Sequence, residues 1–271
     1  MTEKIDVYAN GVIGGDSPAD YGEAATEVVK RGYEMTKFVP FDQPEGDSAW
    51  PDDLSRDRGV ERLRAVRDAV GDSLALGIDF HGVHAPQVAI ELVERVTAFD
   101  PAFVEEPIPP ENQAAMRRIR DRINVPIATG ERLLTVFDYR DFLDDPTPGD
   151  IVQPDVSNCG GISQLKKIAS MAYAEYVPIA PHNSRGPVAT AAAAHACATI
   201  PNFLVLEYFP DLPPWRDDLI VGSEYVENGV YHLPDGPGLG IELNEDALDD
   251  HPYEKDNRTD EIFTCGFRGM R

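Results

Sequence analysis

The sequence predicts an α/β fold, a parallel (β/α) barrel of the TIM type, on three observations. Short β-rich runs alternate along the chain with amphipathic stretches of ten or more residues. Eight β-rich runs occur, which favours a barrel over an open sheet. The glycines after the first run, in Gly11-Val12-Ile13-Gly14-Gly15, do not match the phosphate-binding fingerprint of an open, doubly wound sheet.

The individual elements follow from periodicity and from helix-end residues. The predicted strands are 5–12, 34–41, 74–80, 102–107, 126–131, 151–157, 177–182 and 203–208. The amphipathic segments with helical spacing are 57–71, 85–99, 112–123 and 161–176. Ser17-Pro18 and Thr135 are typical helix starts, whereas Gly32 and Gly71 are typical helix ends.

Two stretches fall outside the alternating pattern. Residues 42–56 are rich in Pro and Asp, and we interpret them as a loop over the end of the second strand. Residues 210–271 carry many Pro, Gly and Asp residues. We therefore expect a barrel domain over residues 1–209 and an extended C-terminal segment over residues 210–271 that packs on the barrel.

The charge balance excludes some classes of partner. Asp and Glu number 48 against 24 basic residues, of which six are lysines. A surface this acidic repels nucleic acid and anionic lipid. The acidic residues are spread along the chain, which favours adaptation to high salt; an acidic mesophilic enzyme is the alternative.

Location and redox state follow from apolar runs and cysteine spacing. No apolar run is long enough to span a bilayer, and the first residues, Met1-Thr2-Glu3-Lys4, lack the apolar stretch of a signal peptide, so we expect a cytoplasmic protein. The three cysteines, Cys159, Cys197 and Cys265, are odd in number and widely spaced, which predicts reduced structural thiols.

An ionisable residue lies at or near the end of each of six consecutive predicted strands. These residues are Asp79, Glu105, Glu131, Asp155, His182 and Glu207, at intervals of 24 to 27 residues. One strand, one helix and their loops occupy about that length, so the six side chains should converge on the C-terminal rim of the barrel, where barrels of this type carry their catalytic groups. Any one of them could instead be a cap or an ion-pair partner.

Three consecutive carboxylates in this set, those of Asp79, Glu105 and Glu131, predict a metal site. They would repel one another unless a cation or shared protons neutralised them. Ligation by oxygen alone favours a hard ion, which indicates Mg²⁺, with Mn²⁺ as the alternative. The absence of nearby thiols argues against zinc.

The remaining candidates have acid–base or binding roles. Asp155 beside His182 would fix the imidazole tautomer and raise its basicity, as a general base requires; a structural histidine is the alternative. His81 lies two residues beyond Asp79 and could act as an acid. Lys37 would bind a substrate carboxylate or pair with a rim acid, and Arg132 would hold Glu131 or a neighbouring carboxylate. His84, His195, His232 and His251 are interpreted as structural or surface residues.

Six motifs together resemble the enolase superfamily. They are Asp79-Phe80-His81-Gly82, Val104-Glu105-Glu106-Pro107, Thr129-Gly130-Glu131-Arg132, Gln153-Pro154-Asp155, Gly160-Gly161-Ile162 and Ala180-Pro181-His182-Asn183. The chain is most similar to the mandelate racemase/muconate lactonizing enzyme group and, within it, to galactonate and gluconate dehydratase-like proteins. The resemblance covers essentially the whole chain and implies the C-terminal (β/α)7β barrel of that superfamily.

The resemblance implies a reaction on a small sugar acid. Asp79, Glu105 and Glu131 would hold a Mg²⁺ ion that binds the substrate carboxylate, and His182, oriented by Asp155, would remove the α-proton to give a metal-stabilised enediolate. His81 would protonate the departing β-hydroxyl, and Glu207 would hydrogen-bond the enediolate oxygen. Lys37 and Arg132 would be substrate-binding residues. The product would be a 2-keto-3-deoxy acid, and the family tendency implies a homo-oligomer.

Three departures from the family pattern leave alternatives open. Lys37 stands alone where racemases often carry a Lys-x-Lys pair, which favours dehydration over racemisation or epimerisation. The ending Leu206-Glu207-Tyr208 differs from that of a typical galactonate dehydratase and leaves the sugar undefined. The chain begins almost at the first barrel strand, whereas family members carry an N-terminal capping domain. We therefore expect a shortened product, a misassigned start or a cap supplied by another chain, with an inactive barrel acting as a subunit or scaffold as the alternative.

Overall fold

The computed structural model describes residues 2–41, 53–82, 84–144, 147–222 and 224–252. The strands are β1 Lys4–Asn10, β2 Met35–Phe38, β3 Ala75–Asp79, β4 Phe103–Glu105, β5 Ile127–Thr129, β6 Ile151–Val152, β7 Leu206–Tyr208, β8 Ile220–Val221, β9 Tyr225–Glu227, β10 Val230–His232 and β11 Glu242–Leu243. The α-helices are α1 Pro18–Lys30, α2 Asp53–Val70, α3 Pro86–Val96, α4 Gln113–Arg120, α5 Val136–Phe142, α6 Ile162–Ala174, α7 Pro187–Cys197 and α8 Glu245–Asp250. Short 3-10 turns cover Gly71–Ser73, Thr97–Phe99 and Arg216–Leu219.

The main sheet is built from parallel neighbours in chain order. Strands β1 to β6 pair successively and in parallel, and β7 pairs in parallel with β1. In this register Asp79 at the end of β3 lies directly beside Glu105 at the end of β4. The parallel βα architecture predicted from the alternating pattern is confirmed.

The predicted seventh strand, 177–182, is wrong as a regular strand. In the described part of the chain this position is held by Ile179, which forms isolated parallel bridges to Val152 and to Phe203. Pro178 and Pro181 lack a backbone N–H, so the segment cannot sustain a ladder of hydrogen bonds. The ring of strands is therefore not closed by a continuous ladder of hydrogen bonds. The sixth strand is also much shorter than the predicted 151–157, since it ends at Val152, two residues before Pro154.

Both predicted helix starts are confirmed as capping boxes. The Ser17 hydroxyl accepts from the backbone N–H of Asp20, whose carboxylate accepts from the backbone of Ser17. Thr135 and Asp138 form the same reciprocal pair at the start of α5. Each box satisfies backbone donors that have no partner inside the helix.

The loop predicted for residues 42–56 is partly wrong. Residues 42–52 lie outside the described residues, but α2 begins at Asp53, so the end of the predicted loop is helical. The other helices end one to three residues short of the predicted limits, as is usual where helix ends fray.

The C-terminal segment extends the sheet on the other side of β1. Strand β10 pairs antiparallel with β1, and β9 pairs antiparallel with β10. A separate two-stranded ribbon joins β11 to β8. The division of the chain at residue 209 stays a prediction.

Apolar side chains fill the barrel and the space between its strands and helices. A cluster contributed by β1, β4, β5, β6 and the segments before β7 comprises Tyr8, Phe103, Ala128, Ile151, Ala180 and Val205. A larger cluster packs the helices on the outside of the strands. Cys159 and Cys197 are buried free thiols, and Cys265 lies outside the described residues. Among the described helices, none combines the length and apolarity that a bilayer crossing requires.

Candidate active site

The structure brings all nine candidate residues into one connected cluster of charged contacts. It holds Lys37, Asp79, His81, Glu105, Glu131, Arg132, Asp155, His182 and Glu207. Because parallel strands present their carboxyl ends at the same edge, the strand-end positions supply most of the members. Burial is deep, since Glu105 and Glu207 have no exposed surface and Asp79 is 3% exposed.

Lys37, on β2, is the central cation of this cluster. Its ammonium lies 2.8 Å from Glu207 Oε1 and 3.8 Å from Asp79 Oδ2, and it also donates to Glu105 Oε1. Burial by itself would lower the pKa of Lys37, but the carboxylates of Glu105 and Glu207 outweigh burial and raise its pKa well above the ordinary value. Lys37 is therefore charged and paired with rim acids, one of the two roles that the sequence left open.

His182 and Asp155 form a buried imidazole–carboxylate pair. His182 Nδ1 lies 2.7 Å from Asp155 Oδ2, and the other oxygen of Asp155 accepts from the backbone N–H of Ser157 at 2.6 Å and of Asn158 at 3.1 Å. Burial alone would lower the pKa of His182, but Glu207, Asp155 and Glu131 raise it to about 9. The pair therefore fixes the ring orientation and leaves Nε2 turned toward the carboxylates.

The carboxylates carry more negative charge than Lys37 and His182 can offset. Burial raises the pKa of Glu105 to about 8, and Asp79, Glu131 and Glu207 add to this rise while Lys37 opposes it. In contrast, Lys37, His182 and the backbone N–H of Asn183 lower the pKa of Glu207 to about 2 despite burial. The site thus holds one carboxylate that is firmly ionised and another that resists ionisation.

Arg132 contacts a buried acid that sequence reasoning did not select. Its Nη1 lies 2.5 Å from Glu106 Oε2, its Nη2 donates to the backbone carbonyl of His81 at 2.8 Å, and the distance from Nη2 to Glu131 Oε1 is 3.9 Å. Arg132 therefore joins the loops after β3, β4 and β5. Its substrate-binding role stays a prediction.

Two residues beside the proposed ligands have left-handed backbones without being glycine. His81 has φ of 51° and Glu106 has φ of 38°, and the N–H of Gly82 donates to the carbonyl of Glu106 at 2.7 Å. Such conformations cost on the order of 1 kcal/mol or more and persist where surrounding contacts impose them. The turn places His81 Nε2 3.1 Å from Asp79 Oδ2.

Three further polar residues reach the cluster and were missed. The side-chain amide of Asn10 donates to Glu207 Oε1 at 2.6 Å, that of Gln153 donates to Glu105 Oε2, and the backbone N–H of Asn183 donates to Glu207 Oε2 at 2.7 Å. Asn10 ends β1, so its position was a usable signal. Gln153 and Asn183 stand inside the quoted motifs beside Asp155 and His182.

The donor chemistry of Asp79, Glu105 and Glu131 fits a hard divalent cation. All three offer only oxygen acceptors when ionised, and burial together with the neighbouring carboxylates raises the pKa of Glu105 although Lys37 contacts it. As they stand, no three His, Cys, Asp or Glu side chains among the described residues are arranged to coordinate an ion. Mg²⁺ thus fits the charge and the donor type of these three residues, although not the arrangement that their side chains have here.

A separate cavity lies beside the loops that follow Asp155 and His182. It has a volume of about 740 Å³ and lies between the first turns of α6 and α7 and the C-terminal segment. Its lining is mostly apolar and includes none of the nine candidate residues. We therefore place the candidate active site at the charged rim and not in this cavity.

A parallel barrel with carboxylates at the carboxyl ends of its strands belongs to the class of α/β barrels that carry their functional groups at that rim. Residues 20–247 match the family described as enolase C-terminal domain-like, and the chain belongs to that family. The resemblance drawn from the six motifs is confirmed.

Relatives of known name and solved structures agree with this placement. The chain is 36% identical over 256 residues to a D-gluconate dehydratase from Thermoproteus tenax, covering 94% of this chain and 51% of the relative. It is 34% identical to a D-xylonate dehydratase from Haloferax volcanii, covering 90% and 60%. A mandelate racemase/muconate lactonizing enzyme from Jannaschia sp. superposes with a TM-score of 0.86 at 35% identity, covering 95% of this chain and 68% of the other.

The chain spans about half to two thirds of the length of these curated relatives. The family match runs from residue 20 to residue 247 and therefore includes all nine candidate residues. The activity of the relatives is therefore a basis for a proposal about this chain.

Proposed function

We propose that this chain is the catalytic barrel of a Mg²⁺-dependent acid-sugar dehydratase, a hydro-lyase. The observation that carries the proposal is the buried pair of His182 and Asp155, which faces the carboxylates of Glu131 and Glu207 in the same cluster. The names of the relatives, dehydratases of D-gluconate, D-xylonate and D-galactonate, support the reaction class.

The first chemical task falls to His182. Its Nδ1–H donates to Asp155, so that loss of the Nε2 proton from the charged imidazole would leave a lone pair at Nε2. This lone pair would accept the α-proton of the sugar acid, and the electrons of the broken C–H bond would form an enediolate. The same carboxylates that raise the pKa of His182 make its imidazole a stronger base. Lys37 and the N–H groups of Asn10 and Asn183 that contact Glu207 lie within the same cluster. They would hold the substrate oxygens.

A bound Mg²⁺, held by Asp79, Glu105 and Glu131, would supply positive charge against the substrate carboxylate and its developing negative charge. His81 would then donate a proton to the β-hydroxyl as its C–O bond breaks, so that water leaves. Tautomerisation of the resulting enol gives a 2-keto-3-deoxy acid. His81 Nε2 lies 3.1 Å from Asp79 Oδ2, so the proposed general acid is next to a proposed metal ligand. His81 would donate a proton, whereas His182 would accept one.

The test is turnover of a panel of sugar acids, led by D-gluconate, D-xylonate and D-galactonate, with Mg²⁺ and with high salt. We expect a 2-keto-3-deoxy product from at least one of them. Recovery of an epimer of the substrate, with no keto acid, would contradict dehydration and favour the racemase or epimerase alternative. No product from any acid, with Mn²⁺ binding intact, would favour the scaffold alternative.

Replacing a proposed ligand separates metal binding from folding. Glu105→Gln should lose Mn²⁺ binding, measured by electron paramagnetic resonance, and should lose Mg²⁺-dependent activity. Glu94→Gln, on the exposed face of α3, is the matched control and should retain both. Normal Mn²⁺ affinity in Glu105→Gln would refute the ligand assignment.

Replacing the proposed base tests the first step alone. His182→Asn should slow exchange of the substrate α-proton with D₂O by roughly 10²- to 10⁴-fold, the usual contribution of a general base. Nuclear magnetic resonance of the recovered acid measures this exchange without requiring loss of water. Exchange at the wild-type rate would place the base elsewhere.

A further inference from the structure

The C-terminal segment contributes a buried arginine, Arg216, that contacts the loop between His182 and α7. Arg216 is 2% exposed, and its side chain makes four hydrogen bonds within the described residues. Two of them go to the carboxylate of Glu224, from Nε at 2.6 Å and from Nη2 at 3.2 Å. The planar guanidinium is thus fixed in orientation by a two-point contact.

The two other hydrogen bonds are directed at the loop that follows His182. Arg216 Nη1 donates to the carbonyl of Arg185 at 2.8 Å, and Nη2 donates to Thr190 Oγ1 at 2.7 Å. Arg185 lies three residues beyond His182, and Thr190 lies in the first turns of α7. Arg216 therefore holds this loop at two points.

A continuous path of buried polar contacts leads from Thr190 to the rim. Thr190 Oγ1 accepts from Asn183 Nδ2 at 2.9 Å, and the same Nδ2 donates to the carbonyl of Glu207 at 3.0 Å. The backbone N–H of Asn183 donates to the Glu207 carboxylate at 2.7 Å. The guanidinium of Arg216 also lies 5.3 Å from the ring centroid of Tyr208, the residue after Glu207.

We infer that Arg216 is a positioning residue, which fixes His182 and the Glu207 carboxylate through Thr190 and Asn183. It does not touch the cluster of charged rim groups itself. Its contacts converge on the short loop between His182 and α7 and on the strand that carries Glu207, so a shift of Arg216 displaces both groups together. The inference concerns the rate of the reaction proposed above and rests on that function.

The obvious variant is Arg216→Lys, which keeps the charge but cannot make the forked contact to Glu224 together with both loop contacts. Thr190→Val keeps Arg216 and Glu224 in place and removes only the hydroxyl that links Arg216 to Asn183. The second variant therefore tests the inference even if Arg216→Lys does not fold. Arg120→Lys is the matched control, because Arg120 pairs with Asp150 at 3.1 Å and donates to a backbone carbonyl beside the start of β6, away from the rim.

The readout that does not depend on turnover is amide hydrogen exchange of the peptide containing Asn183. Its N–H is buried against Glu207, so we expect exchange at Asn183 to rise by about tenfold or more in Arg216→Lys and in Thr190→Val, and to stay unchanged in Arg120→Lys. Unchanged protection in the first two variants would overturn the inference, as would an equal rise in the control.

The kinetic readout separates positioning from general stability. We expect kcat to fall by roughly 10- to 100-fold in the first two variants, with KM changed by less than about threefold, because a small displacement of the base slows the chemical step more than it weakens binding. An unchanged kcat would overturn the inference. Absence of wild-type turnover on every sugar acid would refute the proposed function, whereas the exchange measurement would still decide whether Arg216 holds the loop.

Discussion

At the residue scale, His84 contrasts with His182 because no carboxylate among the described residues accompanies its burial. Its side chain packs edge-on against Phe41 and Phe80, and its Nδ1 has no hydrogen-bond partner in the described part of the chain. Burial, with a smaller contribution from the nearby positive charge of Arg56, lowers the pKa of His84 to about 4. Burial can therefore keep one histidine neutral while carboxylates keep another charged in the same barrel.

The neutral state of His84 should make stability depend on pH. The folded pKa is below the unfolded value of about 6.5, so this contribution is present above pH 6.5 and is lost as pH falls toward 4. By pH 5 the loss should be on the order of 2 kcal/mol relative to pH 8. Urea unfolding of the wild type and of His84→Leu measures the difference. Equal pH dependence in the two proteins would show that His84 is not the source.

Residue positions at the rim can be predicted where the barrel period fixes them. Asp79 and Glu105 end their strands and Glu131 lies two residues beyond the next one, at equal intervals in the sequence, so their convergence follows from the (β/α) repeat alone. The contacts of Arg216 and Glu106 cannot be predicted in this way. Arg216 lies in a segment without periodicity, and its partners Arg185 and Thr190 are distant in the chain. Glu106 points to Arg132 because of a left-handed backbone that no sequence pattern indicates.

At the element scale, the short helix α5 anchors the loop that carries Glu131 and Arg132. The Thr135 hydroxyl accepts from the N–H of Asp138, and the Asp138 carboxylate accepts from the backbone N–H groups of Leu134 and Thr135. The Thr135 hydroxyl also donates to the Asp138 carboxylate at 2.8 Å, and this hydrogen bond, with those from the two backbone N–H groups, lowers the pKa of Asp138 below its ordinary value. A helix of seven residues has few internal hydrogen bonds and therefore depends on its cap.

Removing this cap should destabilise the protein measurably. Thr135→Ala should lower the free energy of unfolding by about 1 kcal/mol, the usual cost of an N-cap deletion. Ser170→Ala is the control, because within the described ranges the Ser170 hydroxyl donates to the carbonyl of Lys166 inside α6 and to no other group. Denaturant titration of both variants makes the comparison. A loss in Ser170→Ala as large as in Thr135→Ala would refute the special role of the cap.

Element boundaries are predictable where local chemistry decides them and not where proline intervenes. Ser17 and Thr135 mark helix starts because their hydroxyls satisfy nearby donors. The apolar run 177–182 looks like a strand by composition, but Pro178 and Pro181 remove the donors that a ladder needs. Composition therefore identifies the element and its position in the ring, whereas backbone hydrogen bonding decides its regularity.

At the scale of the whole molecule, the net charge of −24 should make the folded state depend on salt. Raising KCl from about 0.1 M to about 1 M shortens the Debye length from about 10 Å to about 3 Å and screens the repulsion between surface acids. We expect the unfolding temperature to rise over this range, measured by calorimetry. Sucrose at equal osmolality controls for effects other than charge.

Surface substitutions that change the net charge should change the size of this salt dependence. Asp249→Lys with Asp250→Lys, at the exposed end of α8, should lessen the salt dependence, and Lys166→Glu on the exposed side of α6 should increase it. A salt response that is the same in all three proteins would show that charge repulsion is not its cause.

Strand β1 is the junction at which distant parts of the chain meet. Val7 pairs with Leu206, and Asp6 pairs with Val230, so the partners on one side of β1 are about two hundred residues later in the sequence. During synthesis, β1 can pair with β2 early, but its other edge stays open until the segment from β7 to β10 has been made. Closure of this side of β1 therefore waits for about two hundred further residues, and a chaperone that shields the open edge of β1 would act during that interval.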